Sequence, residues 1–263
     1  WEYTGCGFET GGMNAAKHGV CPAYPDQGRQ CYAVNDTKCH LMRNTRAGAI
    51  DRARKIVKLT DGLELNYTTL ALTTGSRVRN LPLPGSDLPG CFYLRGIADV
   101  EHLQNRIAPG ASIVIVGAGY IGLEVAAVAV KRGLKVTVLE ALPRVMARAA
   151  CQQVSAFYEE VHRKAGVDIR LNTKLEAIEK NGDALVVQTS EGALPADTIL
   201  IGVGIVPNVE LAIVAGLEVN NGIVVDQFAR TSDPAIYAIG DCVNLPCTYA
   251  PGGRVRLECV QNA

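Results

Sequence analysis

The sequence predicts an α/β fold with parallel strands, and three observations carry that expectation. Apolar strands and a helix alternate at the spacing of a βαβ unit: Ser112–Val116, then 121–132, then Lys135–Leu139. A glycine loop, Gly117-Ala118-Gly119-Tyr120-Ile121-Gly122, lies between the first strand and the helix. Residues 152–165 place Val154, Phe157, Tyr158 and Val161 on one helical face, and Gly166 ends that helix.

The remaining elements follow in chain order. Residues 1–50 are rich in Gly, Cys and Asn and show no apolar periodicity, so they bury little core and need another staple. Residues 55–59 read as a strand, Asp61-Gly62 as a turn and 63–72 as further strand. Residues 80–90 form a Pro- and Gly-rich loop. Residues 100–107 read as a helix closed by Pro109-Gly110, and 168–171, 184–189, 197–202 and 223–225 as later strands. A chain of 263 residues has room for about two domains beside a small module. The expected divisions are 1–50, 51–110 together with 237–263, and 111–236.

Bulk properties exclude several partners. Lys+Arg and Asp+Glu both number 26, so no net charge points to nucleic acid or an acidic membrane surface. No apolar run approaches the roughly 18 residues of a membrane span. The first residues, Trp1-Glu2-Tyr3, show none of the basic and apolar regions of a signal peptide, and the expected compartment is the reducing cytoplasm.

The glycine loop is G-x-G-x-x-G in the context that gives it meaning: it follows an apolar strand, opens a helix and is followed by Glu140 at the end of the next strand. The first glycine permits the turn, the second lets backbone approach a pyrophosphate, and the third lets helix and strand pack closely. The helix start offers N–H groups and a positive dipole end to the phosphates. This is a Rossmann-type NAD-binding unit. Glu140 is placed to accept adenosine ribose hydroxyls, and its charge disfavours a 2′-phosphate, so NADH is expected over NADPH.

Beyond the loop, the chain from about residue 55 to 263 resembles the FAD-dependent ferredoxin and rubredoxin reductases. These are the putidaredoxin reductase-like group of the pyridine nucleotide-disulphide oxidoreductases. The resemblance rests on Gly-Ala-Gly-Tyr-Ile-Gly-Leu-Glu-Val-Ala-Ala (117–127), Val-Ser-Ala-Phe-Tyr (154–158), Ala-Gly-Val-Asp-Ile-Arg (165–170), Gly-Val-Gly-Ile-Val-Pro-Asn (202–208) and Thr-Ser-Asp-Pro (231–234). It implies that Gly117, Ala118, Gly119, Tyr120, Ile121 and Gly122 hold the dinucleotide, with Glu124 near the nicotinamide carboxamide, Glu140 on the ribose and Gly204 in backbone contact. It further implies that Thr74, Gly75, Arg95, Asp241 and Val260 belong to a flavin site. Residues 51–110 plus 237–263 then read as a partial FAD-binding domain and 111–236 as the NADH-binding domain. The implied activity passes electrons from NADH through FAD to a ferredoxin or rubredoxin.

The sequence departs from that family in two places. No strand–glycine loop–helix for the ADP half of FAD is evident, since Gly11-Gly12 follows no strand, and the matching pattern stops at Ala263. Weakened FAD binding, resting on the flavin half, is therefore expected. Residues 1–40 resemble a small two-CW cysteine module in which Tyr32 stands for the second Trp. Cys6, Cys21, Cys31 and Cys39 suit Zn or an iron–sulfur cluster, although their spacing matches neither zinc fingers nor common ferredoxin runs, and reduced structural cysteines are the alternative. Cys242 and Cys247 have the spacing of a redox-active pair, but they follow Gly240-Asp241 rather than an N-terminal FAD loop, which argues against a catalytic disulfide. A second functional reading is a non-catalytic NAD-binding remnant fused to a metal-binding or redox-sensing cysteine module.

Overall fold

The computed structural model describes residues 42–182 and 184–258. Cys6, Cys21, Cys31, Cys39 and Val260 lie outside the described residues. The chain divides into two compact units, one ending at Tyr67 and one beginning at Thr68.

In the first unit, β1 (Ala47–Asp51), β2 (Ile56–Leu59) and β3 (Glu64–Asn66) form an antiparallel sheet in the order β1-β2-β3. Its inward side chains are Ile50, Ile56 and Leu59. Asp51 shapes the β1–β2 turn, its Oδ1 accepting the Arg54 N–H at 3.0 Å. The sequence expectation missed β1 because Ala-Gly-Ala-Ile-Asp contains a single large apolar residue. The expected strand over 63–72 is broken at residues 67–69, leaving β3 here and β4 (Leu70–Leu72) in the second unit.

The second unit continues with β5 (Ser76–Val78), β6 (Cys91–Phe92), α1 (Ile97–Gln104), β7 (Ser112–Val116), α2 (Tyr120–Lys131), β8 (Lys135–Leu139), α3 (Gln152–Lys164) and β9 (Asp168–Arg170). Then come β10 (Leu175–Asn181), β11 (Ala184–Thr189), β12 (Gly192–Ala196), β13 (Thr198–Ile201), β14 (Ile205–Pro207), α4 (Glu210–Val214), β15 (Ile223–Val224), β16 (Ile236–Ala238), β17 (Val243–Pro246) and β18 (Arg254–Val255). The central sheet is parallel throughout, in the order β6-β13-β7-β8-β9.

Ser112–Val116 is apolar at nearly every position because both faces of β7 are covered. Ile113 and Ile115 pack with Leu123, Ala126 and Ala129 of α2, while Val114 and Val116 pack against Ile178, Leu185 and Val187 of the β10-β11-β12 meander. Each such burial contributes about 1.5–3 kcal/mol. The meander strands β10 and β12 escaped the sequence reading because Glu and Lys fill half of β10 and Pro195 interrupts β12.

Helix α1 starts three residues before its predicted position. Asp99 explains the start: its Oδ2 accepts the N–H groups of Gly96 at 2.8 Å and Arg95 at 2.9 Å. Those N–H bonds, Gly96 first, hold the Asp99 carboxyl below its usual range.

Helix α3 has the predicted extent, and its apolar stripe faces outward. Val154, Phe157, Tyr158 and Val161 share one side and are all exposed, whereas Ser155 and His162 are buried. The inward face is held by polar groups. Arg144 donates to Ser155 Oγ at 2.6 Å, and the His162 ring nitrogens sit 2.8 Å from the Tyr158 carbonyl and 3.0 Å from the Leu123 carbonyl of α2. Periodicity locates a stripe but does not say which side it faces. Among the described residues no helix is long and apolar enough to cross a membrane.

Candidate functional site

Two positions of the glycine loop, Gly117 and Gly122, admit no larger residue. Gly117 has φ +103°, and a Cβ there would lie 2.5 Å from the Gly202 carbonyl oxygen. A Cβ on Gly122 would lie 2.0 Å from the Gly117 oxygen, so α2 approaches β7 only with glycine at that position. Gly119 differs: a Cβ there meets nothing within 4 Å. It is also the N-cap of α2 and supplies no side-chain cap to the helix start. An open cradle beside uncapped N–H groups fits a diphosphate.

Glu140 lies against this cradle. Its Oε2 accepts the Ala118 N–H and its Oε1 the Leu142 N–H, each at 2.9 Å. Each carboxylate oxygen keeps a second lone-pair direction for a ribose hydroxyl. Tyr120, Ile121 and Glu124 are exposed on the first turns of α2. Gly204, at φ +103°, is exposed with open space around it, and its carbonyl accepts the Arg79 N–H at 3.0 Å.

The residues expected at the flavin form a second set. Arg95 donates from Nε to the Ser76 carbonyl and from Nη2 to Asp241 Oδ2, both at 3.0 Å. Ser76 Oγ donates to the same Asp241 Oδ2 at 2.9 Å. Both bonds fall on one oxygen, so Asp241 is fixed with Oδ1 available to a ligand hydroxyl. Gly75 has φ +63°, which turns the chain beside Arg95, whose Nη2 lies 3.7 Å from a Cβ built there. Thr74 Oγ1 donates to the Asn208 carbonyl at 2.6 Å. Flavin-type polyols need such fixed acceptors and donors, and this set fits that half of the cofactor. Among the described residues no second strand–glycine loop–helix accompanies it.

A groove of about 390 Å³ brings the two sets together. Ile121, from the glycine loop, and Arg95, from the second set, both line it, with Leu94, Ile97, Val100 and Ile205 supplying apolar walls. The sequence reading missed Leu94, Ile97, Val100, Ile205, Ser76 and Asn208. Isolated aliphatic residues and a lone Ser carry no spacing signal; Asn208 was visible within Pro207-Asn208 but had no assigned role. Cys242 is buried, its thiol 3.3 Å from the Ile239 carbonyl, and Cys242 and Cys247 are both free thiols in the structure.

Comparison with known proteins agrees with this geometry. The family model for pyridine nucleotide-disulphide oxidoreductases matches residues 10–263. Rhodocoxin reductase of Rhodococcus erythropolis is 48% identical over 218 residues, 81% of this chain and 50% of that protein. Rubredoxin-NAD(+) reductase of Pseudomonas putida is 43% identical over 244 residues, 92% of this chain and 62% of that protein. The crystal structure of the covalent putidaredoxin reductase–putidaredoxin complex superposes with a TM-score of 0.78 at 38% identity, covering 92% of this chain and 61% of the other. The chain thus spans about half to three-fifths of the length of these relatives. With the glycine cradle, the carboxylate beside it and a family match over nearly all its length, the chain belongs to the pyridine nucleotide-disulphide oxidoreductase family.

Proposed function

We propose that this chain takes the NADH-binding and flavin-contacting part in a flavoprotein reductase that passes electrons from NADH to a ferredoxin or rubredoxin. The observation that carries this reading is the shared groove, where Ile121 of the glycine loop and Arg95 of the Ser76–Asp241 set face one space. Residues 111–236 are assigned to NADH, and residues 51–110 with 237–263 to the flavin half of FAD.

In this reading the α2 N–H groups and the Gly119 cradle bind the diphosphate, and Glu140 holds the adenosine ribose. Ile121, Leu94 and Ile205 exclude water where the nicotinamide lies, which protects a hydride in transit. Ser76 and Arg95 orient Asp241 so that Oδ1 accepts from a flavin hydroxyl. A bound flavin supplies a two-electron acceptor able to release electrons singly. The relatives' names support the acceptor class: one is a rubredoxin reductase, and another was solved joined to putidaredoxin.

The test is to add FAD to the purified protein and follow NADH-dependent reduction of ferricyanide. The proposal predicts turnover that requires both NADH and FAD. NADH binding without any FAD-dependent turnover would leave only a binding module.

A further inference from the structure

Strands β5 and β14 form a ribbon of their own, three residues on each side and separate from the larger sheets. Two-stranded ribbons are marginal alone, so what fastens them sets their geometry. This ribbon joins the two halves of the proposed site. β14 begins at Ile205, next to the dinucleotide residue Gly204, and β5 begins at Ser76, which holds Asp241. Pairing runs Ile205 to Val78, Val206 to Arg77 and Pro207 to Ser76. Ladder bonds fall at Gly204–Arg79 and Asn208–Gly75, so Pro207 faces Ser76 at a position where antiparallel partners exchange none and its missing N–H costs the ribbon nothing.

Asn208 carries the ladder past the ribbon and adds side-chain bonds to it. Its backbone N–H donates to the Gly75 carbonyl at 2.9 Å, its carbonyl accepts from Thr74 Oγ1 at 2.6 Å, its Nδ2 donates to the Thr74 carbonyl at 2.9 Å and its Oδ1 accepts from Arg77 Nη1 at 2.7 Å. Arg77 is itself steadied by Glu210 at 2.8 Å. A single residue thus spans Thr74 to Arg77, on both sides of Ser76, which bonds Arg95 and Asp241.

We infer that Asn208 is a positioning residue for hydride transfer: it fixes the dinucleotide segment 204–208 against the flavin segment 74–77. This rests on the proposed function and adds a residue that touches neither ligand. A nicotinamide displaced by about 1 Å loses on the order of 100-fold in rate, whereas each binding surface, built from other residues, is kept.

The experiment uses FAD-loaded protein mixed anaerobically with NADH in a stopped-flow instrument. Asn208→Ala is expected to slow flavin reduction by about 10- to 100-fold, with dissociation constants for NADH and FAD changed by less than about twofold. Asn208→Asp, which keeps the bond from Arg77 but loses the donor to Thr74, should fall between. Arg77→Met, removing the bond to Asn208 Oδ1, should do likewise and covers the case in which Asn208→Ala fails to fold. Hydrogen exchange should accelerate at 76–79 and 205–208 in Asn208→Ala while 112–139 stays unchanged.

Unchanged reduction rates in the variants would overturn the inference. So would parallel losses of both affinities with exchange rising across the whole unit, which marks a general structural role. If the wild-type protein itself transfers no hydride, the proposed function fails and this inference with it, an outcome distinguished by the wild-type trace alone.

Discussion

The Glu140 carboxylate accepts the N–H of Ala118 at 2.9 Å, so the acidic residue at the end of one strand is fastened to the glycine loop at the end of its neighbour. In the proposed reading that bond aims the negative charge at the dinucleotide ribose and predisposes the site against a 2′-phosphate. Glu140→Ala should weaken NADH binding by about 1–3 kcal/mol, the cost of lost charge-assisted hydrogen bonds, and NADPH binding by less. Calorimetry with both dinucleotides checks this. Equal losses for the two would show that Glu140 does not discriminate.

The second and third glycines of the loop should respond differently to one added methyl group. Gly122→Ala puts a carbon 2.0 Å from the Gly117 carbonyl oxygen, so melting temperature and NADH binding should fall together. Gly119→Ala meets open space, so the fold should hold while the methyl occupies the diphosphate cradle and NADH affinity drops. Thermal melts beside NADH titrations separate the two. A cooperative loss of stability in Gly119→Ala would contradict this assignment.

The dinucleotide half was legible because its chemistry is local. The glycine loop, its flanking strand and helix, and Glu140 lie within 30 residues, and Gly117 and Gly122 sit where the backbone admits only glycine. The set expected at the flavin is assembled from residues distant in sequence, such as Ser76 with Asp241, and only the resemblance to the reductases pointed there. Ile205 and Leu94 gave no signal, since one aliphatic side chain on a groove wall looks like any core residue. The stripe of α3 was legible, but the side it faces was not. A polar inward face held by Arg144 and His162 has the same period as an apolar one.

Acid should loosen the edge of the central sheet at Asp197. Its Oδ2 accepts both the N–H and the hydroxyl of Ser112 at 2.7 Å, and these bonds, the backbone one first, lower its carboxyl below the usual 3.8. A lowered folded value means the stabilisation is present above the unfolded carboxylate value and is lost as pH falls through the folded one. Asp197→Asn should therefore unfold at lower urea than the wild type near neutrality, with the gap closing below about pH 4. A gap that stays constant with pH would remove Asp197 from the account.

The four N-terminal cysteines, Cys6, Cys21, Cys31 and Cys39, are predicted from sequence to bind Zn or an iron–sulfur cluster. Elemental analysis of protein prepared without chelator should find stoichiometric Zn or Fe, reduced when Cys21 and Cys31 are both changed to Ser. Metal-free protein would leave these residues as reduced structural thiols.

The central claim is that NADH held at the glycine loop delivers hydride to a flavin held by Asp241. It is tested most directly by anaerobic addition of NADH to the FAD-supplemented protein while the flavin band near about 450 nm is followed. The account predicts that NADH bleaches the band in the wild type and that NADPH does so far more slowly. Asp241→Ala should bind NADH normally yet retain little flavin to bleach. A band that persists under saturating NADH, with FAD demonstrably bound, would contradict it.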